Sequence, residues 1–170
     1  LLAVPLIVYL IVDASHLWAF IVFVLAGASD AVDGTIAKLL GQTSRIGGIL
    51  DPIADKTLIV GVYVTLGLQG SIAGSVVAIV VLRDVLIVFG VGMFLLLNEP
   101  MRMRAAQLSR LNTAMQVFLA TVVLADLALG LGVPEMIEIL SYLVIATTVV
   151  SGGWYLVRCG RRLLRLESLR

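Results

Sequence analysis

The chain has 170 residues, of which 61% are hydrophobic and 14% are charged, and its mean hydropathy is +1.12. A soluble domain of this size is about one quarter charged, so this sequence has too little polar surface to cover a soluble globule. The formal net charge of +1 gives no reason to expect a nucleic-acid partner, and we expect the chain to lie in a membrane.

Long apolar runs follow one another along the chain, and most approach the roughly 20 residues that a helix needs to cross the hydrocarbon core. They are Leu1–Val12, Leu17–Leu40, Ile49–Leu68, Ile72–Leu97, Leu111–Leu131 and Ile137–Val157. We therefore predict an all-α integral membrane protein with six transmembrane helices. Since no repeat, low-complexity tract or linker divides the sequence, residues 1–170 are expected to form a single domain.

The positive charges fall on one side of the predicted helices. They lie around the loop between helices two and three, around the loop between helices four and five, and after helix six: Lys38, Arg45, Lys56, Arg102, Arg104, Arg110, Arg158, Arg161, Arg162, Arg165 and Arg170. The opposite loops contain no Lys or Arg. Because positive residues favour cytoplasmic loops, both termini are predicted to be cytoplasmic. The basic segment after Tyr155 is expected to contact anionic lipid headgroups rather than nucleic acid.

Four aspartates are concentrated at the predicted cytoplasmic ends of two consecutive helices. Asp30 and Asp33 are three residues apart in helix two, and Asp51 and Asp55 are four apart at the start of helix three. Either spacing places its pair on one face of a helix. If the two helices are antiparallel neighbours, the four carboxylates face each other in a cleft that opens to the cytoplasmic side. Charges inside membrane helices are costly and usually mark function.

Carboxylates that converge in a partly desolvated cleft repel each other unless cations neutralise them. Oxygen ligands favour Mg²⁺, Mn²⁺ or Ca²⁺ over Zn²⁺, and no His or Cys lies near the four acids in the sequence. Two divalent ions held by shared carboxylates recur in phosphoryl chemistry, because they clamp the attacking and leaving oxygens. We therefore predict a site for two divalent cations, Mg²⁺ or Mn²⁺, at Asp30, Asp33, Asp51 and Asp55.

The segment from Asp30 to Asp55 resembles the signature of the CDP-alcohol phosphatidyltransferase family, D-x2-D-G-x2-A-R-x8-G-x3-D-x3-D. Of eight fixed positions over 26 residues, every one matches except Lys38, which stands where the family usually has Arg. Lys offers a point charge where Arg offers a bidentate fork, so we do not carry the family's phosphate contact over to this position unchanged. The six-helix layout and the cytoplasmic site also agree with the family fold, and the resemblance covers essentially the whole chain.

The resemblance implies transfer of a phosphatidyl group from CDP-diacylglycerol to an alcohol acceptor, with release of CMP. It implies that Asp30, Asp33 and Asp51 bind the two metals that hold the donor pyrophosphate. Asp55 would share a metal and act as the general base for the acceptor hydroxyl. The residues that would bind or border the CDP-lipid are Asp30, Gly34, Ala37, Lys38 and Gly47. The resemblance also suggests a homodimer.

Further polar residues lie inside predicted helices four and five. Arg83 and Asp84 form either a structural ion pair or a contact with the acceptor, and Arg83 is our candidate for binding an acceptor phosphate. A polar stripe with helical spacing begins helix five: Ser109, Asn112, Thr113 and Gln116. The stripe either joins helices by hydrogen bonds or forms a wall of the acceptor pocket. Asp126, near the outer end of helix five, is expected to be an interfacial residue.

The stretch Ser109-Arg110-Leu-Asn112-Thr113 followed by Gln116 is similar to the CMP-forming, eukaryotic-type cardiolipin synthases of the family. The phosphatidylglycerophosphate synthases usually carry a Gly-Lys-x-Lys-Thr type sequence there, which this chain lacks. We therefore favour phosphatidylglycerol as the acceptor, with glycerol 3-phosphate as the alternative. The expected acceptor-binding residues are Arg83, Arg110, Asn112 and Gln116.

A transporter or a proton-coupled channel would also place acidic residues in membrane helices. Such a protein does not require its acids at one end of two helices, or a glycine directly after the second one, as Gly34 follows Asp33. The pattern therefore favours the enzyme. We expect it in a bacterial inner membrane or a mitochondrial inner membrane, with its site on the cytoplasmic or matrix face.

Overall fold

The structure is a computed structural model that describes residues 3–40, 47–96 and 107–167, with side chains described for 3–29, 56–89 and 109–157. Helices occupy these ranges: α1 Ala3–Val12, α2 His16–Leu40, α3 Gly47–Leu68, α4 Gly74–Leu96, α5 Gln107–Leu129 and α6 Pro134–Glu167. No strand occurs in the described ranges. The prediction of an all-α chain is therefore confirmed.

Each helix coincides with one of the predicted apolar runs, and the main differences are at polar helix ends. Helix α6 begins at Pro134 and continues to Glu167, well beyond the run Ile137–Val157. Proline suits the first position of a helix, where its missing N–H is not needed, and Glu135 in the first turn complements the helix dipole. A boundary drawn from hydropathy alone misses such capping residues.

Two segments of the described chain, Ser109–Leu129 with 21 residues and Pro134–Val157 with 24, are long and apolar enough to cross a membrane. Large apolar side chains also face outward. Phe89 is 70% exposed and Leu68 is 85% exposed, and Trp18 and Leu82 are exposed as well. Many exposed large apolar side chains are consistent with a surface that contacts lipid or another protein. The crossing by all six helices and the side of the termini stay predictions.

Helix α5 lies at the centre of the bundle, because it packs against α2, α3 and α6. Helix α1 packs against α2 and α3, and α4 packs against α3 and α6. All six helices contribute side chains to the hydrophobic core, among them Ile7, Ile11, Phe23, Val62, Tyr63, Leu66, Val76, Val80, Leu119, Leu124, Leu140 and Val144. Since α2 and α3 share the neighbours α1 and α5, both helices that carry the signature are held by the same two elements.

The connection between α3 and α4 is closed by a glycine and anchored to α1. Gly70 has φ of 77°, a conformation that glycine adopts without strain. The Ser71 amide then donates to the carbonyl of Leu66 at 2.9 Å. Gln69 Nε2 donates to the carbonyl of Ile11 at 2.8 Å. A side-chain hydrogen bond therefore connects the C-terminal end of α3 to the C-terminal end of α1.

The connection between α5 and α6 is organised by Asp126. Its Oδ1 accepts hydrogen bonds from the amides of Gly132 at 2.7 Å and Val133 at 3.3 Å. Gly130 and Gly132 have φ of 62° and 66°, which lets the chain reverse tightly. Asp126, expected as an interfacial residue, thus also satisfies main-chain donors at the start of α6.

The contact between α3 and α4 depends on Gly67, and this can be tested by substitution. A Cβ at Gly67 would lie 2.7 Å from Val77 Cγ2, and a valine in a helix has little rotamer freedom with which to move away. We expect Gly67→Ala to destabilise the protein by about 1–3 kcal/mol, measured as a lower apparent melting temperature in detergent.

Gly153→Ala is the matched control, because a Cβ there meets nothing within 4 Å and the position is inside α6. Alanine is the better helix former by about 0.5–1 kcal/mol, so this variant should be as stable as the wild type or more stable. A Gly67→Ala protein that melts with or above Gly153→Ala would contradict the packing described.

Candidate active site

The predicted metal ligands lie on α2 and α3. Asp30 and Asp33 are in the last part of α2, and Asp51 and Asp55 are in the first part of α3. The helical backbone keeps each pair on one face. The side chains of residues 30–55, and with them Gly34, Ala37, Lys38 and Gly47, are outside the side chains that the structure describes. Their convergence on two metal ions therefore stays a prediction.

A buried polar cluster begins directly after this segment, and we term it the Arg83 cluster: Lys56, Arg83, Asp84, Ser109 and Ser151. Asp84 Oδ1 accepts hydrogen bonds from Lys56 Nζ at 2.7 Å and from Arg83 Nη1 at 2.6 Å. Arg83 Nη2 donates to Ser109 Oγ at 2.7 Å and to Ser151 Oγ at 2.9 Å. One carboxylate and one guanidinium thus link α3, α4, α5 and α6.

The cluster contains two cations and one anion. Arg83 is 3% exposed and Asp84 is 4% exposed, while the side chain of Lys56 is 26% exposed. Burying charges is favourable only when opposite charges and hydrogen bonds compensate for the lost hydration. One positive charge is not compensated within the cluster. Because Lys56 directly follows Asp55, this excess charge lies beside the predicted catalytic segment.

An amide layer lies one helical turn from the Arg83 cluster. Asn112 Oδ1 accepts hydrogen bonds from the hydroxyls of Thr147 at 2.9 Å and Thr148 at 2.8 Å. One turn further along α5, Gln116 is buried, and its main-chain carbonyl accepts a hydrogen bond from Tyr63 at 3.0 Å. These bonds join α5 to α6 and to α3. The helix-joining role of the polar stripe is therefore observed at Ser109 and Asn112.

Several buried polar atoms of the two layers have no partner among the described residues. They are Arg83 Nε, Asp84 Oδ2, Asn112 Nδ2 and Gln116 Nε2. Buried polar groups are nearly always hydrogen-bonded, and leaving one unpaired costs about 1–3 kcal/mol. Three of the four atoms are donors, which suits the phosphate and hydroxyl oxygens of a ligand.

The structure brings together some of the predicted acceptor residues and leaves one apart. Arg83, Asn112 and Gln116 are all buried and belong to successive layers between α4, α5 and α6. Arg110 is exposed on α5. Of the two alternatives for Arg83 and Asp84, the ion pair is observed, and contact with an acceptor stays a prediction.

Sequence reasoning missed the roles of Lys56 and Ser151. Lys56 was counted only among the cytoplasmic positive charges, although its place directly after Asp55 was a signal that it belongs to the site. Its partner Asp84 is on another helix, and that pairing has no local signature. Ser151 precedes Gly152, where an added Cβ would lie 3.5 Å from Arg83 Cγ, so a small residue at 152 leaves the arginine stem its space.

Comparison with known proteins agrees with the signature. The CDP-alcohol phosphatidyltransferase family matches residues 1–154. The "Cardiolipin synthase (CMP-forming) / mitochondrial hydrolase fusion protein" of Schizosaccharomyces pombe is 29% identical, over 92% of this chain and 29% of that protein. The "CDP-diacylglycerol--glycerol-3-phosphate 3-phosphatidyltransferase 1, chloroplastic" of Oryza sativa is 32% identical, over 89% of this chain and 51% of that protein. The human "Cardiolipin synthase (CMP-forming)" is 32% identical, over 71% of this chain and 46% of that protein.

The chain spans about half or less of the length of these curated relatives. Their names divide between cardiolipin synthesis and phosphatidyl transfer to glycerol 3-phosphate, so the similarity fixes the family and not the acceptor. The matched residues include the whole signature from Asp30 to Asp55 and all members of the Arg83 cluster. The chain belongs to the CDP-alcohol phosphatidyltransferase family, whose enzymes act in phospholipid biosynthesis.

Proposed function

We propose that this protein transfers the phosphatidyl group of CDP-diacylglycerol to phosphatidylglycerol, forming cardiolipin and CMP. The observation that carries the proposal is the position of the Arg83 cluster, in which the partly exposed Lys56 directly follows the acidic signature on α3 and is linked through Asp84 to the buried Arg83. In the proposed reaction, the acids would hold the metal ions that bind the donor pyrophosphate. The cations of the Arg83 cluster would bind the phosphate of the second lipid. A transporter has no need of this pairing.

The residues of the signature fit divalent cations. Asp30, Asp33, Asp51 and Asp55 supply only carboxylate oxygens, which Mg²⁺ and Mn²⁺ prefer, and dependence on a divalent cation is general in the family. When bound, two such ions would neutralise the donor pyrophosphate and stabilise the charge that develops on the leaving CMP. The cytidine diphosphate would lie against Gly34, Ala37 and Gly47, with Lys38 as an added positive charge.

Asp55 is the proposed general base. It takes the proton of the acceptor hydroxyl, because an alcohol is a poor nucleophile until it loses that proton. The oxygen then attacks the lipid-bearing phosphorus in line with the pyrophosphate bond. A new phosphorus–oxygen bond forms as the bond to the bridging oxygen breaks, and the electron pair leaves with CMP. The proton remains on Asp55 until solvent removes it.

The acceptor is proposed to lie between α3, α4 and α5. Arg83 would bind its phosphate through the unpaired Nε, and the free donors of Asn112 and Gln116 would bind its glycerol oxygens. Arg110, which is exposed, would contact the acceptor only at the mouth of the cleft. Glycerol 3-phosphate is the second candidate acceptor, since the Oryza sativa relative is named for it.

The proposed location is a bacterial inner membrane or a mitochondrial inner membrane, with the site on the cytoplasmic or matrix face. Two apolar segments of the described chain are long enough to cross a membrane, and the positive loop charges support the proposed orientation. A homodimer, suggested by the family resemblance, is part of the proposal.

The function can be tested in detergent with labelled CDP-diacylglycerol and a panel of alcohol acceptors. We expect CMP release and a labelled cardiolipin when phosphatidylglycerol is added, and no comparable product with inositol or serine. Detergent removes the membrane barrier, so a transporter would release no CMP under these conditions. Product formation with glycerol 3-phosphate alone would assign the second acceptor and overturn the first.

Metal dependence is tested by chelation. EDTA is expected to abolish CMP release, and an excess of Mg²⁺ or Mn²⁺ should restore it, because Lys38 alone cannot neutralise a pyrophosphate. Zn²⁺ at the same free concentration is the control and should restore little, since the ligands are all carboxylates. Full turnover in a rigorously metal-free preparation would contradict the proposed site.

The division of labour among the acids is tested by Asp55→Asn and Asp30→Asn. Removing the base should lower turnover by at least about two orders of magnitude, since general-base catalysis contributes roughly 10²–10⁴-fold. Affinity for CDP-diacylglycerol should fall much less in Asp55→Asn than in Asp30→Asn, which loses charge from the metal site itself. If Asp55→Asn instead loses donor affinity as severely while its bound-state turnover stays near wild type, Asp55 is a metal ligand only.

A further inference from the structure

Two cations share a single carboxylate oxygen in the Arg83 cluster. Lys56 and Arg83 both bind Asp84 Oδ1, and Arg83 commits its Nη2 to Ser109 and Ser151. What remains for a ligand is Arg83 Nε, which is buried without a partner among the described residues, the second hydrogen of Arg83 Nη1, and the remaining hydrogens of the partly exposed Lys56. The cluster therefore presents one excess positive charge and no bidentate arginine fork.

We infer that Asp84 is a specificity-determining residue, which sets the cluster to accept a phosphodiester monoanion and to disfavour a phosphomonoester dianion. The inference rests on the proposed function, because it assumes that the acceptor phosphate lies at the Arg83 cluster. It goes beyond that function by assigning the choice between the two candidate acceptors to one buried charge.

The two candidate acceptors differ in the negative charge of their phosphate groups. A phosphodiester such as the headgroup of phosphatidylglycerol carries one negative charge, whereas a phosphomonoester such as glycerol 3-phosphate carries about 1.5 to 2 near pH 7. A single negative charge balances the excess charge of the cluster. A second negative charge would lie beside the Asp84 carboxylate without a further cation in the cluster to balance it, and buried like charges repel strongly because they are poorly screened.

The unpaired oxygen of Asp84 strengthens this selection. Asp84 Oδ2 is buried without a hydrogen-bond partner among the described residues. It can accept a hydrogen bond from an alcohol but repels a phosphate oxygen. Specificity of this kind acts by penalising the wrong ligand rather than by adding contacts to the right one.

The test compares kcat/KM for phosphatidylglycerol with kcat/KM for glycerol 3-phosphate in the wild type and in Asp84→Asn. Asparagine can still accept a hydrogen bond from Lys56 or Arg83, but the cluster gains one net positive charge. We expect the ratio of the two constants to shift toward glycerol 3-phosphate by roughly tenfold or more, the change that about 1.4 kcal/mol of differential binding gives. Asp84→Glu keeps the charge and should keep the wild-type preference.

Glu138→Gln is the matched control, because it also removes one negative charge. Glu138 is exposed on α6, roughly 20 Å along the helix from Ser151, so the ratio should stay at its wild-type value. An equal shift in Glu138→Gln and Asp84→Asn would assign the effect to the overall field and overturn the inference.

Lys56→Gln gives a second, opposite test should Asp84→Asn fail to fold. It removes a cation, leaves the cluster neutral, and should move the ratio further toward phosphatidylglycerol. A ratio unchanged in the folded variants would overturn the inference. So would a wild type that prefers glycerol 3-phosphate, although phosphatidyl transfer itself would then still stand.

A binding measurement separates this inference from the proposed function. Glycerol 3-phosphate and glycerophosphoglycerol, the soluble monoester and diester, are titrated into the full chain in detergent. The wild type should favour the diester and Asp84→Asn should lose that preference, whether or not the protein turns over. A wild type that releases no CMP yet shows these affinities would refute the proposed reaction and retain the charge selection, whereas equal affinities in both proteins would refute the selection.

Discussion

The arrangement of helices α3 to α6 depends on the ion pairs that the Asp84 carboxylate makes with Lys56 and Arg83. Without Asp84, the buried Arg83 would lose its hydration without compensation and would be repelled by the partly exposed Lys56. Asp84 Oδ1 binds both, at 2.7 and 2.6 Å. Arg83 in turn reaches α5 and α6 through Ser109 and Ser151. Four helices are thus held by a chain of charged and polar bonds that begins at one oxygen atom.

In the membrane location that we propose, polar contacts have special weight, because lipid gives helices little hydrophobic reason to associate. For outward-facing residues such as Leu82 and Phe89, contact with lipid hydrocarbon is about as favourable as contact with another helix. Helix positions must then be set by close packing and by hydrogen bonds. The bonds of Asn112 to the α6 threonines and of Asp126 to the start of α6 fix α5 against α6 at two levels. Gln69 fixes α3 against α1 in the same way.

The sequence predicted what depends on neighbours along the chain and missed what depends on neighbours in space. Each apolar run forms most of a helix, because a helix satisfies all the backbone hydrogen bonds of an apolar segment within the segment itself. The acidic signature could also be recognised in the sequence, because its aspartates lie at fixed spacings within 26 residues. The pairing of Lys56 with Asp84 spans two helices, and Asp126 was expected to be an interfacial residue because nothing in the sequence connects it to the amides that it binds. The ion pair, one of the two roles left open for Arg83, became visible only through its partner Asp84.

Helix α3 connects the two halves of the proposed reaction. It carries Asp51 and Asp55 and, in the next position, Lys56. Reacting groups must approach to about 3–3.5 Å in a defined orientation for attack to be efficient. Lys56 is bound to Asp84, and Asp84 to Arg83, so the backbone that carries the proposed base is positioned by the same bonds that arrange the cations of the proposed acceptor site. A displacement of α4 that keeps these bonds would therefore move the proposed acceptor phosphate and the proposed base together.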